Sequence, residues 1–201
     1  MRLLLSLVLA CICASAVTAR AESHTIFLLD VSGSMELPVA DEKRIDRAKA
    51  ALVAPLSSGR YPGAELIMWN TQKFFDDYGD GAKLASQLSA ATKGHRGSYL
   101  GSAFESISEA GYRCAHVVFV TDEYPDDQGD FTHAINGLLA ADRQNTVTIY
   151  VVNHPLSNRY AKRFAQVSDS TSYRVVDGNR ERSLDAFLTA NPATDACGTL
   201  S

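Results

Sequence analysis

The sequence has no basic run and no stretch in which lysine or arginine interleaves with aromatic residues, and its formal net charge is −4. Nothing in it could neutralise several phosphates at once, so nucleic acid is not an expected partner. It also lacks repeats, low-complexity segments and any linker that would divide it into domains. Its five histidines, His24, His95, His116, His133 and His154, show no i, i+4 or metal-triad spacing. His116 lies inside an apolar run and reads as a packed core residue. His95 and His154 fall in loops near strand ends or helix starts, where they could rim a site and make binding pH-sensitive. No G-x-S-x-G nucleophile turn occurs: in Gly97-Ser98-Tyr99-Leu100-Gly101 the serine stands one place early.

What is present is an ordinary globular balance. The chain has 201 residues, 46% hydrophobic and 21% charged, which suits one domain with its own buried core. The first 21 residues differ in character. Arg2 precedes a nearly continuous apolar stretch from Leu3 to Val17, and Ala19-Arg20-Ala21 offers small residues at a cleavage point. This is the pattern of a secretory signal peptide, and the apolar stretch is too short to anchor the chain. We therefore expect residues 1–21 to be removed. That leaves residues 22–201 as a single domain, periplasmic or secreted, with no transmembrane segment. Cleavage after Ala16 and lipid anchoring through Cys11 are the alternatives. Loss of Arg2 and Arg20 makes the mature chain more acidic still.

Apolar runs at Thr25–Leu29, Ala115–Val120 and Val147–Val152 predict parallel strands covered on both faces. Ala64–Trp69 predicts another, with a short edge strand at Gln72–Phe75 after a turn at Asn70-Thr71. Helical periods lie between them. Ile45, Ala48, Leu52 and Leu56 share one face, with Pro55 near the helix end. Leu100, Ala103, Phe104 and Ile107 share another. So do Phe131, Ile135, Leu138 and Leu139, with Asp130 placed to cap their helix. Tyr160, Phe164 and Val167 mark a helix entered at Ser157, and Leu184, Phe187 and Leu188 mark the last, stopped near Pro192. The alternation predicts an α/β fold: a doubly wound, mainly parallel sheet with one short antiparallel edge strand and helices on both faces.

In such sheets ligands sit beyond the carboxyl ends of the strands. Directly after Leu29 comes Asp30-Val31-Ser32-Gly33-Ser34. One carboxylate and two hydroxyls on a tight loop are the oxygen donors that hard divalent cations prefer, and Gly33 supplies freedom for the turn. Few charged ligands leave such an ion electrophilic, which suits binding of an external carboxylate.

The segment Phe27-Leu-Leu-Asp-Val-Ser-Gly-Ser-Met35 resembles the first strand and metal loop of von Willebrand factor A domains, the fold of integrin inserted domains. Gly97-Ser98-Tyr99-Leu100 is similar to that family's Gly-Thr segment, with Ser98 at the threonine position. Val118-Phe-Val-Thr-Asp122-Glu123 is similar to its strand followed by Thr-Asp-Gly, with Glu123 in place of glycine. The three pieces occur in order, and the resemblance covers roughly residues 24–190. It implies a metal ion-dependent adhesion site. Ser32, Ser34 and Ser98 would be hydroxyl ligands, and Asp30 and Asp122 would act directly or through water. The ion would be Mg2+, with Mn2+ or Ca2+ possible, completed by an acidic residue of a protein partner. Serine at 98 lacks the methyl that restricts threonine's rotamer. Glu123 adds charge to a cluster with Asp122, Asp126, Asp127 and Asp130, of which Asp126 and Asp127 read as solvated loop charges. Tyr99, Glu123 and Tyr124 are possible rim contacts.

Competing readings are weaker. Haloacid dehalogenase-like phosphotransferases need D-x-D, and the second position here is Ser32, so the leaving-group acid is missing. Asp76-Asp77-Tyr78-Gly79-Asp80-Gly81 lacks the register and closing glutamate of a calcium loop and reads as a turn. The expected function is an exported, metal-dependent protein-binding module rather than an enzyme. A metal-independent scaffold subunit and, less readily, a hydrolase are the alternatives; the oligomeric state is not legible. Cys114 opens the strand that ends at Asp122, so it lies at the face opposite the metal loop, and Cys197, beyond the last helix, returns toward that opposite face. A Cys114–Cys197 disulfide is therefore favoured, with two unpaired buried thiols as the alternative. It would restrain the helix sliding that couples to the metal site in integrin inserted domains, and so fix one affinity state.

Overall fold

A strand buried on both faces must place apolar side chains at odd and even positions alike, and the first strand does so. In the computed structural model, which describes residues 23–39, 41–90, 97–152, 157–181 and 183–192, β1 spans His24–Asp30. Its Phe27 and Leu29 point to one core and its Ile26 and Leu28 to the other. β4 (Ala64–Trp69) and β6 (Ala115–Thr121) flank it in parallel, with Leu28 opposite both Ile67 and Phe119. β7 (Thr146–Val151) and β8 (Tyr173–Asp177) continue the parallel sheet beyond β6. β5 (Lys73–Gly79) closes the other edge antiparallel to β4. The order is β5-β4-β1-β6-β7-β8.

Helices cover both faces, as a parallel sheet requires. On one side lie α1 (Arg44–Ser57), α2 (Gly81–Ala90) and α6 (Leu184–Ala190), contributing Leu52, Leu84 and Leu188 to the core. On the other lie α3 (Gly101–Glu109), α4 (Gln128–Ala141) and α5 (Ser157–Phe164), whose Phe104, Phe131 and Phe164 pack edge-on. The chain winds outward from β1 to β4 and later returns to β6 on β1's other side. The carboxyl ends of β1 and β6 therefore flank the switch point.

The expected architecture is present; two local expectations need correction, and two further elements were not expected. The edge strand is Lys73–Gly79, not Gln72–Phe75. Asp76 and Asp77 are strand residues rather than a turn, paired opposite Ile67 and Leu66. Their polarity conceals the strand because an edge has one side open to water. Gly81–Ala90 forms an unforeseen helix that buries Leu84 and Leu88. A two-rung ribbon, β2 (Pro38–Val39) with β3 (Glu42–Lys43), also intervenes between β1 and α1.

Polar groups gather at the amino ends of the strands. Glu65 is buried and accepts hydrogen bonds from His24 Nε2 and the Tyr112 hydroxyl, both at 2.9 Å. The His24 and Tyr112 rings stack with centroids 4.4 Å apart. Cys114, just before β6, is buried and has a left-handed φ of 57°, rare for a residue with a Cβ. Cys197, His95, His154, Cys11 and the expected signal peptide lie outside the described residues.

His116 is the core residue the sequence suggested: buried in β6, with Nδ1 hydrogen-bonded to Thr146 Oγ1. Burial, and secondarily the Arg174 charge, lower its pKa from 6.5 to about 4. The unfolded chain therefore binds more protons than the native one between those values. The native state loses stability as pH falls from 6.5 toward 4. Replacing His116 by Gln removes this contribution while leaving all other titrations common to both proteins. Urea denaturation near neutrality and at about pH 4.5 should show wild type losing roughly 2 kcal/mol more than His116→Gln. Equal losses would contradict a neutral buried His116.

Candidate metal centre

The loop after β1 is shaped by its own carboxylate. Asp30 is the last residue of β1, and its Oδ1 accepts the backbone N–H of Ser32 at 2.8 Å, turning the chain back on itself. A 3-10 turn, Gly33–Glu36, follows and is pinned by fully buried Met35. Val31 N donates to Trp69 O at 2.8 Å, tying the loop to the end of β4. The Ser32 and Ser34 hydroxyls lie 3.0 Å apart, and Ser34 Oγ donates to Asp122 Oδ1 at 3.0 Å. Asp30, Ser32, Ser34 and Asp122 thus form one hydrogen-bonded group across the ends of β1 and β6.

Ser98 lies on the segment that leads into α3, and its side chain has no direct hydrogen bond to these four. Four backbone contacts hold its segment. Tyr99 N donates to Asn70 O at 2.9 Å, and Trp69 Nε1 donates to Tyr99 O at 3.0 Å. Ser98 N donates to Asp126 Oδ2 at 3.1 Å, and Asp126 N donates to Ser98 O at 2.9 Å. Gly97 before it has a φ of 89°, and a Cβ there would come within 2.7 Å of the Thr71 methyl, so only glycine fits. The Ser98 side chain is 3% exposed, and its hydroxyl has no hydrogen-bond partner among the described residues. A buried hydroxyl without a partner is uncommon and calls for an explanation.

The acidic residues after β6 do more than the sequence suggested. Asp126 fixes Ser98, as above. Asp127 accepts from Leu100 N at 3.1 Å and from Gly101 N at 2.7 Å, so it caps α3 from another part of the chain. Neither is merely a solvated loop charge. Asp130 is not the cap of α4; that position belongs to Asp127, and Asp130 sits exposed in the first turn. Gly101 packs tightly against the first turn of α4: an added Cβ would lie 2.7 Å from Phe131 N. Among the described residues no group of three or more His, Cys, Asp or Glu side chains could hold a metal.

Two contributors escaped the sequence reading. Thr121 is buried and donates to Asp30 Oδ2 at 2.7 Å, and it stands in plain sight one place before Asp122. Arg44, the first residue of α1, donates from Nη1 to Asp122 Oδ2 at 2.5 Å. No local pattern marks it, because 78 residues separate the partners. Of the expected rim residues, Tyr99 is exposed and Glu123 half-buried. Tyr124 is a packing residue, tilted against Phe164 at 4.9 Å with the Arg163 guanidinium 4.4 Å over its ring.

Burial dominates the electrostatics. Asp30 and Asp122 are both fully buried. Burial first, and the neighbouring Asp122 charge second, push Asp30 up to about 7. Burial raises Asp122 as well, opposed by the hydrogen bond and charge of Arg44. Glu123 is raised by burial and then by Asp122. A group of carboxylates so disposed is stabilised by positive charge placed among them.

No protein-family profile matches the sequence, and no curated protein matches it. Solved structures do. An aerotolerance-related membrane protein from Bacteroides fragilis superposes with a TM-score of 0.59 at 14% identity, covering 84% of this chain and 96% of the other. The conserved hypothetical protein BatB from Bacteroides thetaiotaomicron gives 0.59 at 12% identity, covering 84% and 98%. A manganese-loaded TRAP protein from Plasmodium vivax gives 0.55 at 13% identity, covering 84% and 72%. At these identities the likeness is one of fold. The chain has the von Willebrand factor A-like architecture that its motifs suggested.

If Asp127 caps α3 and Asp130 does not cap α4, the two alanine variants should separate. Asp127→Ala should cost about 1–2 kcal/mol, the usual value of a lost cap, and Asp130→Ala less than about 0.5 kcal/mol. Chemical denaturation of both variants checks this; equal effects would argue against Asp127 as the cap of α3.

Proposed function

We propose that this chain is an exported protein-binding module that acts through one divalent cation. Asp30, Ser32, Ser34, Ser98 and Asp122 would hold the ion, and an acidic residue of a protein partner would complete its coordination. The observation that carries this reading is the buried Ser98 hydroxyl without a partner among the described residues, taken together with two fully buried carboxylates at the ends of β1 and β6. A hard cation answers both features, since it accepts hydroxyl oxygen as a ligand and offsets the carboxylate charge. The ion proposed is Mg2+, with Mn2+ or Ca2+ as alternatives. The manganese-loaded protein of similar fold supports a divalent ion in this architecture.

Binding rather than catalysis fits the surroundings. His24 and His116 belong to the amino-terminal ends of β1 and β6, opposite the site, and His133 is exposed on α4. None of these three described histidines supports a general-base reading. Export, with removal of residues 1–21, and the Cys114–Cys197 disulfide remain parts of the proposal that rest on the sequence. The membrane-protein relative is compatible with an envelope location. No described helix is long and apolar enough to cross a membrane.

A second reading, a scaffold that needs no ion, is favoured by one contact. Arg44 already supplies Asp122 with a positive partner. Thermal unfolding with Mg2+, Mn2+ or Ca2+ decides between them. A site reading that holds should give wild type a rise of roughly 5–10 °C at about a hundredfold excess over Kd, and Ser32→Ala little or none. Wild type unmoved by all three ions would favour the scaffold.

A further inference from the structure

The Arg44–Asp122 contact has features that a purely structural ion pair would lack. Asp122 is fully buried and the Arg44 side chain is 14% exposed, so the pair is largely withdrawn from water. Yet the guanidinium makes one short bond through Nη1, and its Nε is buried with no hydrogen-bond partner among the described residues. An arginine paired with a carboxylate frequently makes two parallel bonds to it. Here the geometry satisfies the charge of Asp122 and leaves part of the fork unmet.

The position of Arg44 on its helix also works against it. It is the first residue of α1, at the positive end of the helix dipole, where a cation is disfavoured. Lys43 beside it is directed away, onto Glu36 at 2.7 Å. The small β2–β3 ribbon and the bond from Arg44 N to Leu37 O at 3.1 Å nevertheless fix its backbone beside the metal loop. The attraction that offsets this placement is the carboxylate Asp122. Its other oxygen is already bonded to Ser34, a second member of the site.

We propose that Arg44 is an internal cation that competes with the divalent ion for Asp122. Without the ion it neutralises the buried carboxylate and preserves the folded site. When the ion engages Asp122, two positive charges on one carboxylate repel, and the guanidinium turns outward. Arg44 thereby sets the ion concentration at which the site loads. This inference rests on reading the site as a cation site, and it names a residue that no part of the metal motif contains.

The test is Mn2+ titration by calorimetry on purified wild type, Arg44→Gln and, as a control one turn along α1, Arg47→Gln. Arg44→Gln should bind Mn2+ at least about tenfold more tightly than wild type, a difference of about 1.4 kcal/mol, and Arg47→Gln should match wild type. A measurement on wild type alone guards against a variant that does not fold. Phenylglyoxal modification of Arg44, read by peptide mass spectrometry, should be slow in EDTA and several-fold faster in saturating Mn2+. Arg44→Gln binding Mn2+ no better than wild type, or Arg44 equally shielded with and without the ion, overturns the competition and leaves the site reading intact. Failure of wild type and variant alike to bind any divalent ion overturns the site reading, and the competition with it.

Discussion

Two carboxylates, Asp30 and Asp122, are fully buried at the ends of neighbouring strands, and the surrounding chemistry is arranged around that constraint. Burying one ionised carboxylate is costly, and two in proximity more so. Asp30 is met by the Ser32 amide and the Thr121 hydroxyl, Asp122 by the Ser34 hydroxyl and Arg44. Each partner reaches the pair because of where the sheet places it. Thr121 ends β6 beside β1, Ser34 lies on the turn that follows β1, and Arg44 starts the helix that leaves it. The parallel order that puts β6 against β1 is thus also what brings the two acids together.

That order was legible because it depends on burial. Strands covered on both faces must be apolar at every position, and Thr25–Leu29, Ala115–Val120 and Val147–Val152 have that character. The helices between them carry clear periodicity. Elements at the margin escaped for the same physical reason in reverse. β5 is an edge strand, so Lys73, Asp76 and Asp77 meet water without cost, and its identity depends on pairing with β4 rather than on its own pattern. Gly81–Ala90 begins with a glycine and an alanine, and among its described side chains buries Leu84, Ala85 and Leu88.

The candidate site divides along a similar line. Asp30, Ser32, Ser34, Ser98 and Asp122 were visible because they form short motifs at strand ends and helix starts. Asp126, Asp127 and Arg44 were not, since their roles depend on partners 26 to 78 residues away. An aspartate that binds a distant backbone amide looks, in sequence, like any solvated loop acid. Asp130 shows the converse error: an acid just before a helical period reads as a cap, although the helix begins earlier, at Gln128.

Ser98 joins these two kinds of information. The motif suggests that serine, lacking the threonine methyl, would present its hydroxyl less rigidly. The structure supplies constraint from elsewhere. Asp126 and Asp127 hold the backbone from residue 98 to residue 101, Asn70 and Trp69 hold Tyr99, and Gly97 and Gly101 allow approaches that a Cβ would block. Rigidity that a branched side chain would provide locally is here distributed over the loop. A hydroxyl on a tied backbone still rotates about χ1, but its Cβ does not wander, so the loss of one methyl affects angle more than position. The acidic loop after β6 thereby has a double role: it provides Asp122 directly, and through Asp126 and Asp127 it determines where Ser98 can stand.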